Sequence, residues 1–147
     1  ICYTDIIFDF KIFKKFKSKR YKNVTLPHLK DWTNVWKKRK KKIFDDAETF
    51  ITDNENKVLE IGKKLTKKKL SKTQGQFMGI IYVPKEMIEK VIFFYRKRKK
   101  RKIQFTEFLN FLISKKLEIN TFSYNGLWYE FDDHEDLKNF RRNKLHV

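Results

Sequence analysis

Short runs of alternating hydrophobicity interleave along this chain with stretches whose apolar residues recur three and four apart, the marks of strands and amphipathic helices. ICYTDIIF reads as a short buried strand with Asp5 near its end, and FDFKIFKKFK has helical spacing. YKNVTLP predicts a second strand, closed by Pro27. DWTNVWKKRKKK places Trp32 and Trp36 on one helix face. ETFITDNENKVLEIG predicts a hairpin around the turn-forming DNEN, ended by Gly62. GQFMGIIYVP predicts a strong strand bearing Gly75 and Gly79, and Pro84 opens a helix through MIEKVIFFYRKRKK. In IQFTEFLNFLISKK, residues Phe105, Phe108, Leu109, Leu112 and Ile113 form one apolar stripe. LEINTFSY and LWYEFD predict strands joined by an Asn125-Gly126 turn, before a final helix in DDHEDLKNFRR. Strands alternating with helices predict an α/β layered domain, and no repeat or linker divides residues 1–147.

The strand LWYEFD raises a chemical question. Alternation puts Trp128, Glu130 and Asp132 on one face and Leu127, Tyr129 and Phe131 on the other, the natural core side. Two carboxylates on one strand face repel each other unless a cation neutralises them, which a hard divalent ion with oxygen ligands does well. A solvated face is the simpler alternative. Asp133, Glu135 and Asp136 suit the start of a helix, with Asp132 or Asp133 as N-cap. Asp5, at the end of an apolar strand, lies where open α/β sheets place ligands.

Composition changes the picture in one respect. The 147 residues carry 36 Lys and Arg against 18 Asp and Glu, a formal net charge of +18 that suits a polyanionic partner. The excess is mostly Lys, with few Ala, Gly and Pro, which reads more as compositional bias than as a tuned binding surface. With 15 Phe the chain has ample core material, so disorder is not expected. A single cysteine, Cys2, excludes a disulfide framework and a thiolate metal cluster. No apolar run approaches the roughly 18 residues that span a bilayer. No secretory signal opens the chain, so a cytoplasmic location is expected.

The ordered set YTDIIF, DWTNVW, DDAETF, VLEIGKK, GQFMGI, FTEFLNFLI and NGLWYEFDDHEDL resembles nucleotidyltransferases that activate phosphate-bearing small molecules with an NTP. The branch it resembles is that of the phosphocholine and 2-aminoethylphosphonate cytidylyltransferases. The resemblance implies the C-terminal part of a Rossmann-like nucleotidyltransferase domain, a mixed sheet flanked by helices. It also implies a Mg²⁺-dependent transfer from CTP or another NTP to a phosphate or phosphonate, with pyrophosphate released. Asp5 falls on the family's metal-binding aspartate, and Glu130 and Asp132 on the acidic strand that completes the Mg²⁺ site. Lys63 matches a phosphate-contacting lysine, with Lys64 as the alternative register, and Gln76 lies where the substrate pocket is lined. Asp31, Trp32, Trp36 and the run Asp45-Asp46-Ala47-Glu48 match segments of this branch. Of these, Asp31, Trp32, Trp36 and Asp45 are candidates for a cationic head group. A plain core role is the alternative for both Trp.

The family's Gly-rich, Arg- and Lys-containing phosphate loop has no counterpart here. The expectation is therefore an N-terminally truncated domain, inactive by itself. A sugar 1-phosphate acceptor is the alternative substrate. The basic runs KKRKKK and RKRKKRK offer a nucleic-acid reading, which is disfavoured because charge at a helix C-terminus accounts for the second run. Membrane insertion is not expected, and the oligomeric state is left open.

Overall fold

The computed structural model describes residues 1–39, 42–98 and 102–142. Its strands are β1 (Ile6–Phe8), β2 (Val24–Leu29), β3 (Glu48–Thr52), β4 (Val58–Lys64), β5 (Gln76–Phe77), β6 (Ile119–Tyr124) and β7 (Trp128–Glu130). Its helices are α1 (Lys11–Ser18), α2 (Trp32–Arg39), α3 (Ile43–Asp46), α4 (Lys67–Leu70), α5 (Lys85–Lys97), α6 (Phe105–Ser114) and α7 (His134–Arg142). Lys40 and Lys41 and residues 99–101, all within the two basic runs, and residues 143–147 lie outside the described residues.

β2 is the central strand. It runs parallel to β6 along its whole length and antiparallel to β5, making a mixed sheet. All six of its residues are buried, as befits a strand covered on both faces. Pro27 does not end it, contrary to the sequence expectation. The Thr25 N–H donates to the Tyr82 carbonyl at 2.9 Å, and the Pro27 nitrogen lies on that same edge. Pairing on that edge is interrupted between the Thr25–Tyr82 bridge and the His28–Phe77 pair, so the missing N–H deprives no ladder partner.

That interruption also divides the strand expected over GQFMGIIYVP. Only Gln76 and Phe77 form β5, while Ile80 bridges Cys2 and Tyr82 bridges Thr25. Gly79, at φ +69°, turns the chain between these pairings, a conformation that costs glycine little.

The β3–β4 hairpin forms as predicted. Asp53 Oδ1 accepts the N–H groups of Glu55 and Lys57 at 2.9 and 2.8 Å, and Asn56 takes a left-handed conformation at φ 61°. β4 continues through Gly62 rather than stopping there. The register slips by one residue between the pairs Glu48–Lys64 and Phe50–Ile61, and Gly62, at φ +72°, sits in the slip. A Cβ at this position would overlap the Thr106 side chain, so the glycine also lets α6 approach the hairpin.

Two cores result. Phe108, Leu109 and Leu112 of α6 pack with Val24, Leu26, Phe50, Val58 and Ile61. Trp32 and Trp36 of α2 pack with Leu29, Met78, Tyr124 and Trp128. The helical stripe read from the sequence is thus largely the buried one, with Phe105 and Ile113 at its margin.

Gly62→Ala is expected to lower the unfolding free energy by about 2–4 kcal/mol, from left-handed strain and overpacking together. Thr106→Ala in the same chain should restore the packing part only. Urea denaturation of both variants measures this.

Candidate functional site

β7 pairs with β1 and is covered on both faces. Trp128 stacks on Trp36, with ring centroids 6.2 Å apart and planes at 14°, and its Nε1–H donates to the Met78 carbonyl at 2.9 Å. Tyr129, on the other face, packs against Phe131 and Phe140. The expectation that only the Leu127–Tyr129–Phe131 side is buried is therefore corrected, because α2 closes the second face. Glu130 ends the strand beyond this apolar cover, and Asp132 follows it.

The cation that meets these carboxylates is Arg39, which was not among the residues singled out from sequence. Its side chain has no exposed surface. Nε donates to Asp136 Oδ1 at 2.9 Å and Nη2 to Asp136 Oδ2 at 3.0 Å, a two-pronged pairing. Nη1 lies 3.4 Å from Glu130 and 3.6 Å from Asp46, and Nη2 also bonds Asp132. Burial opposes the arginine's charge. The Asp136 hydrogen bonds and the charges of Asp136, Asp132 and Asp46 outweigh that and hold it protonated. A signal was present in the sequence: Arg39 follows Trp32 by seven residues and Trp36 by three, so all three share a helix face.

The acids behind the strand divide differently from the sequence reading. Asp133 Oδ1 accepts the Asp136 N–H at 2.9 Å and so caps α7, as expected. Asp136, expected to be an unremarkable acid of the helix start, is fully buried. Besides Arg39, it accepts the Asp132 N–H at 3.0 Å. One turn on, Asn139 donates to the Arg39 carbonyl at 3.1 Å. α7 thus turns its third residue inward towards α2, an orientation that the macrodipole pattern does not reveal.

Several carboxylates crowd together here. Burial, and then the charge of Asp132, raise the Glu130 carboxyl to about 7, with Asp5 and Asp46 adding and Arg39 opposing. Burial pushes the Tyr3 hydroxyl to about 12, assisted by Glu48, Glu130 and Asp5. Glu48 is also raised, by burial and by Asp46.

These groups surround a cavity of about 340 Å³. Its acidic side is Asp46, Glu48, Glu130 and Asp132, and Tyr3, Trp36, Phe77 and Phe105 supply aromatic walls. Two polar atoms of its lining residues, Trp36 Nε1 and Gln76 Oε1, are buried without a hydrogen-bond partner among the described residues. Buried polar atoms are nearly always paired, so these two are exceptions within the lining residues.

Of the candidates read from sequence, Trp36, Gln76, Glu130 and Asp132 line this cavity. Asp5 adjoins it: its carbonyl accepts the Phe131 N–H at 2.9 Å and its charge acts on Glu130. The others lie elsewhere. Asp31 accepts two hydrogen bonds from Asn34 and borders a separate 260 Å³ cavity. Trp32 is a core residue, edge-on to Trp36. Asp45 is exposed, and its run contributes Asp46 and Glu48 to the cavity instead. Lys63 Nζ bonds Glu60 at 2.8 Å, which Lys69 also holds at 2.6 Å. Burial would raise Glu60, but hydrogen bonds from Lys63, Lys69 and Thr49 bring it down to about 2. Lys64 is exposed and pairs across the hairpin with Glu48. Among the described residues, no three His, Cys, Asp or Glu side chains converge closely enough to hold a metal ion by themselves.

No protein-family model matches the chain. Its fold is that of nucleotidyltransferase domains. It superposes on the inositol-1-phosphate CTP transferase from T. maritima with a TM-score of 0.64 and 17% identity, covering 97% of this chain and 54% of that one. A nucleoside-diphosphate-sugar pyrophosphorylase from Vibrio cholerae gives a TM-score of 0.56 and 13% identity, over 94% and 53% of the two chains. In sequence, the chain is 27% identical over 118 residues to a CTP:phosphoglutamine cytidylyltransferase from Campylobacter jejuni, a match to 74% of this chain and 46% of that protein. The resemblance drawn from the ordered motifs is borne out, and the chain spans about half the length of the relatives it matches. Among the described residues, no helix is long and apolar enough to cross a membrane.

Arg39→Met removes the guanidinium that pairs the buried Asp136, and is expected to cost about 3–5 kcal/mol of stability. Asp136→Asn added to it should return part of that loss in urea melts. Glu130 has a second signature. Its folded value lies above the ordinary 4.5, so the folded state holds the extra proton between about 4.5 and 7. Stability therefore falls as pH rises through that window. In melts from pH 5 to 8, Glu130→Gln should flatten this slope and raise the Tm at pH 8.

Proposed function

We propose that this chain supplies the acceptor- and metal-binding part of a nucleotidyltransferase. The enzyme would move a nucleotidyl group from CTP to the phosphate or phosphonate of a small molecule that also carries an amino or ammonium group. The observation that supports this reading is the sign of the cavity. Among the described residues, the carboxylates of Asp46, Glu48, Glu130 and Asp132 line it, in a chain whose formal net charge is +18. An acidic, aromatic lining suits a cationic head group such as that of phosphocholine or 2-aminoethylphosphonate. Sugar hydroxyls call for neutral donors and acceptors instead. The Campylobacter relative is named for a CTP-dependent transfer to a phosphorylated amino-acid amide, which agrees with an amine-bearing acceptor.

The lining residues divide the work. Asp46, Glu48 and Gln76 Oε1 receive the ammonium end of the acceptor. Gln104, Phe105 and Thr106 at the start of α6 line the cavity, Gln104 makes no side-chain cap, and a helix N-terminus favours an anion. Trp36 Nε1–H is a further donor for a phosphate oxygen. Held in this way, an acceptor oxygen attacks the α-phosphorus in line. A phosphorus–oxygen bond forms to the acceptor as the bond to pyrophosphate breaks, and positioning rather than covalent help lowers the barrier. Lys63 serves the substrate phosphates by exchanging Glu60 for them, with Lys69 keeping Glu60 paired.

Asp5 and Asp132, with Glu130 beside them, are the residues we assign to Mg²⁺. Two protein carboxylates completed by phosphate and water oxygens are the usual Mg²⁺ donor set, so a third protein ligand is not needed. Burial and then the Asp132, Asp5 and Asp46 charges raise Glu130, and a divalent cation relieves the part that those charges contribute. Bound Mg²⁺ supplies charge neutralisation at the reacting phosphates.

Thermal melts of the chain test this directly. Mg²⁺ with phosphocholine or 2-aminoethylphosphonate should raise the Tm, a ligand at 100 times its Kd adding about 2.7 kcal/mol. Asp132→Asn should abolish the Mg²⁺-dependent part. The Mg²⁺ shift should be larger at pH 8 than at pH 6, because metal and proton compete for the Glu130 region. An equal shift with glucose 1-phosphate would sink the cationic-acceptor assignment, and no shift with any phosphate would sink the site.

A further inference from the structure

α5 and α6 each carry a phenylalanine followed one turn later by a lysine: Phe93 and Lys97 on α5, Phe111 and Lys115 on α6. Side chains four apart on a helix meet, and each lysine folds over its ring. Nζ lies 5.6 Å from the Phe93 centroid and 5.4 Å from that of Phe111. Neither lysine forms an ion pair among the described residues. Met87, Val91 and Phe94 make the stripe that α5 packs against the core. Phe93 lies off that stripe and is 54% exposed.

Between the two helices lies a groove of about 630 Å³, walled by Phe93, Phe94, Ile103 and Phe111. The Phe94 ring stands edge-on to Phe93 at 5.5 Å and to Phe111 at 6.4 Å, so the three rings form a continuous row. Lys97 and Arg98 at the end of α5 and Lys115 at the end of α6 bring cations to this row, against the carboxylate of Glu107. The groove is distinct from the acidic cavity and of opposite sign. Ile103 and Glu107 border the groove, whereas Gln104, Phe105 and Thr106 border the cavity.

We propose that this groove binds a single-chain amphiphile, an alkyl chain with a carboxylate or phosphate head. The chain lies along Phe93, Phe94 and Phe111, and the head pairs with the rim lysines. Three observations select this occupant. Aromatic walls call for an apolar body, and unpaired lysines at their rim call for an anion. The lining runs along α6 from Glu107 to Lys115, about 12 Å at the helical rise, which is longer than one ring and suits a chain. The volume falls within the roughly 300–1,000 Å³ of small-molecule sites. A protein partner would need about 20–30 residues on each side, and eight line this groove. A bilayer surface is disfavoured because Glu86 and Glu89 are exposed on the same helix. None of these groove residues has a part in the proposed nucleotidyl transfer, so the two readings stand or fall separately.

The test is titration calorimetry of the chain with monomeric dodecanoate and, separately, dodecyl phosphate. The expected result is one saturable site for at least one of them, and the tighter of the two identifies the head group. Dodecyltrimethylammonium, with the same chain and the opposite charge, should bind at least tenfold more weakly, and acetate should give no heat. Phe93→Ser, at an exposed position, should weaken binding at least tenfold without lowering the Tm of the unliganded chain. Lys97→Gln with Lys115→Gln should do the same. Lys67→Gln with Lys68→Gln, two exposed lysines of α4, should leave the affinity unchanged. An affinity that those two lysines set as much as the rim pair would overturn the proposal, since it would report only the general attraction of a +18 chain for anions. Equal binding of the ammonium amphiphile would also overturn it. So would adsorption to phosphatidylglycerol vesicles without binding of either monomeric anion, which would assign the face to a membrane surface.

Discussion

The Arg39 guanidinium ties its own segment to one that lies 91 to 97 residues further on. From the end of α2 it reaches Asp46 of α3, Glu130 at the end of β7, Asp132 and Asp136 of α7. A buried ion is tolerated only when its desolvation is offset by close and well-directed partners. That requirement fixes where α7 lies against α2, and hence where the strand-end carboxylates stand. Three aromatic contacts reinforce the arrangement, since Trp36 meets Trp32, Trp128 and the guanidinium itself. Fold and candidate chemistry therefore share one set of interactions.

The same balance explains the contrast between exterior and cavity. Lysines cover the surface, and their charges are solvated and screened. Inside, burial and the neighbouring carboxylate of Asp132 hold the proton of Glu130 to about 7. A chain that is strongly basic as a whole thus encloses a site of the opposite sign. Net charge describes how a protein behaves at long range and says little about a cavity that four of its acids line.

The cavity and an exposed apolar groove meet at the segment Gly79–Ile81 and at residues 1–3. Tyr3 and Gly79 line the cavity, while Cys2 and Ile80, the next residues, border the exposed apolar groove. Alternation of side chains along these short extended pieces sends neighbours to different surfaces.

Much of this architecture was legible in the sequence, because periodicity reports which face of each element is buried. The stripe in α6, the turn at Asp53 to Lys57, the paired Trp of α2 and the Asp133 cap followed from local spacing. The ordered motifs carried the family resemblance. Tertiary structure decided what depends on neighbours. Pro27 stays within β2 because the adjacent segment breaks at the same level, and Gly79 breaks that segment by adopting a positive φ. Trp128 is buried because α2 closes its face, and Asp136 because a distant arginine needs it. Local patterns encode propensity and amphipathicity, whereas the partner of a buried charge is set by elements about a hundred residues apart. The sequence separated Glu130 and Asp132 from the acids of the helix start, and only the packing of α2 against α7 took Asp136 out of that group and paired it with Arg39.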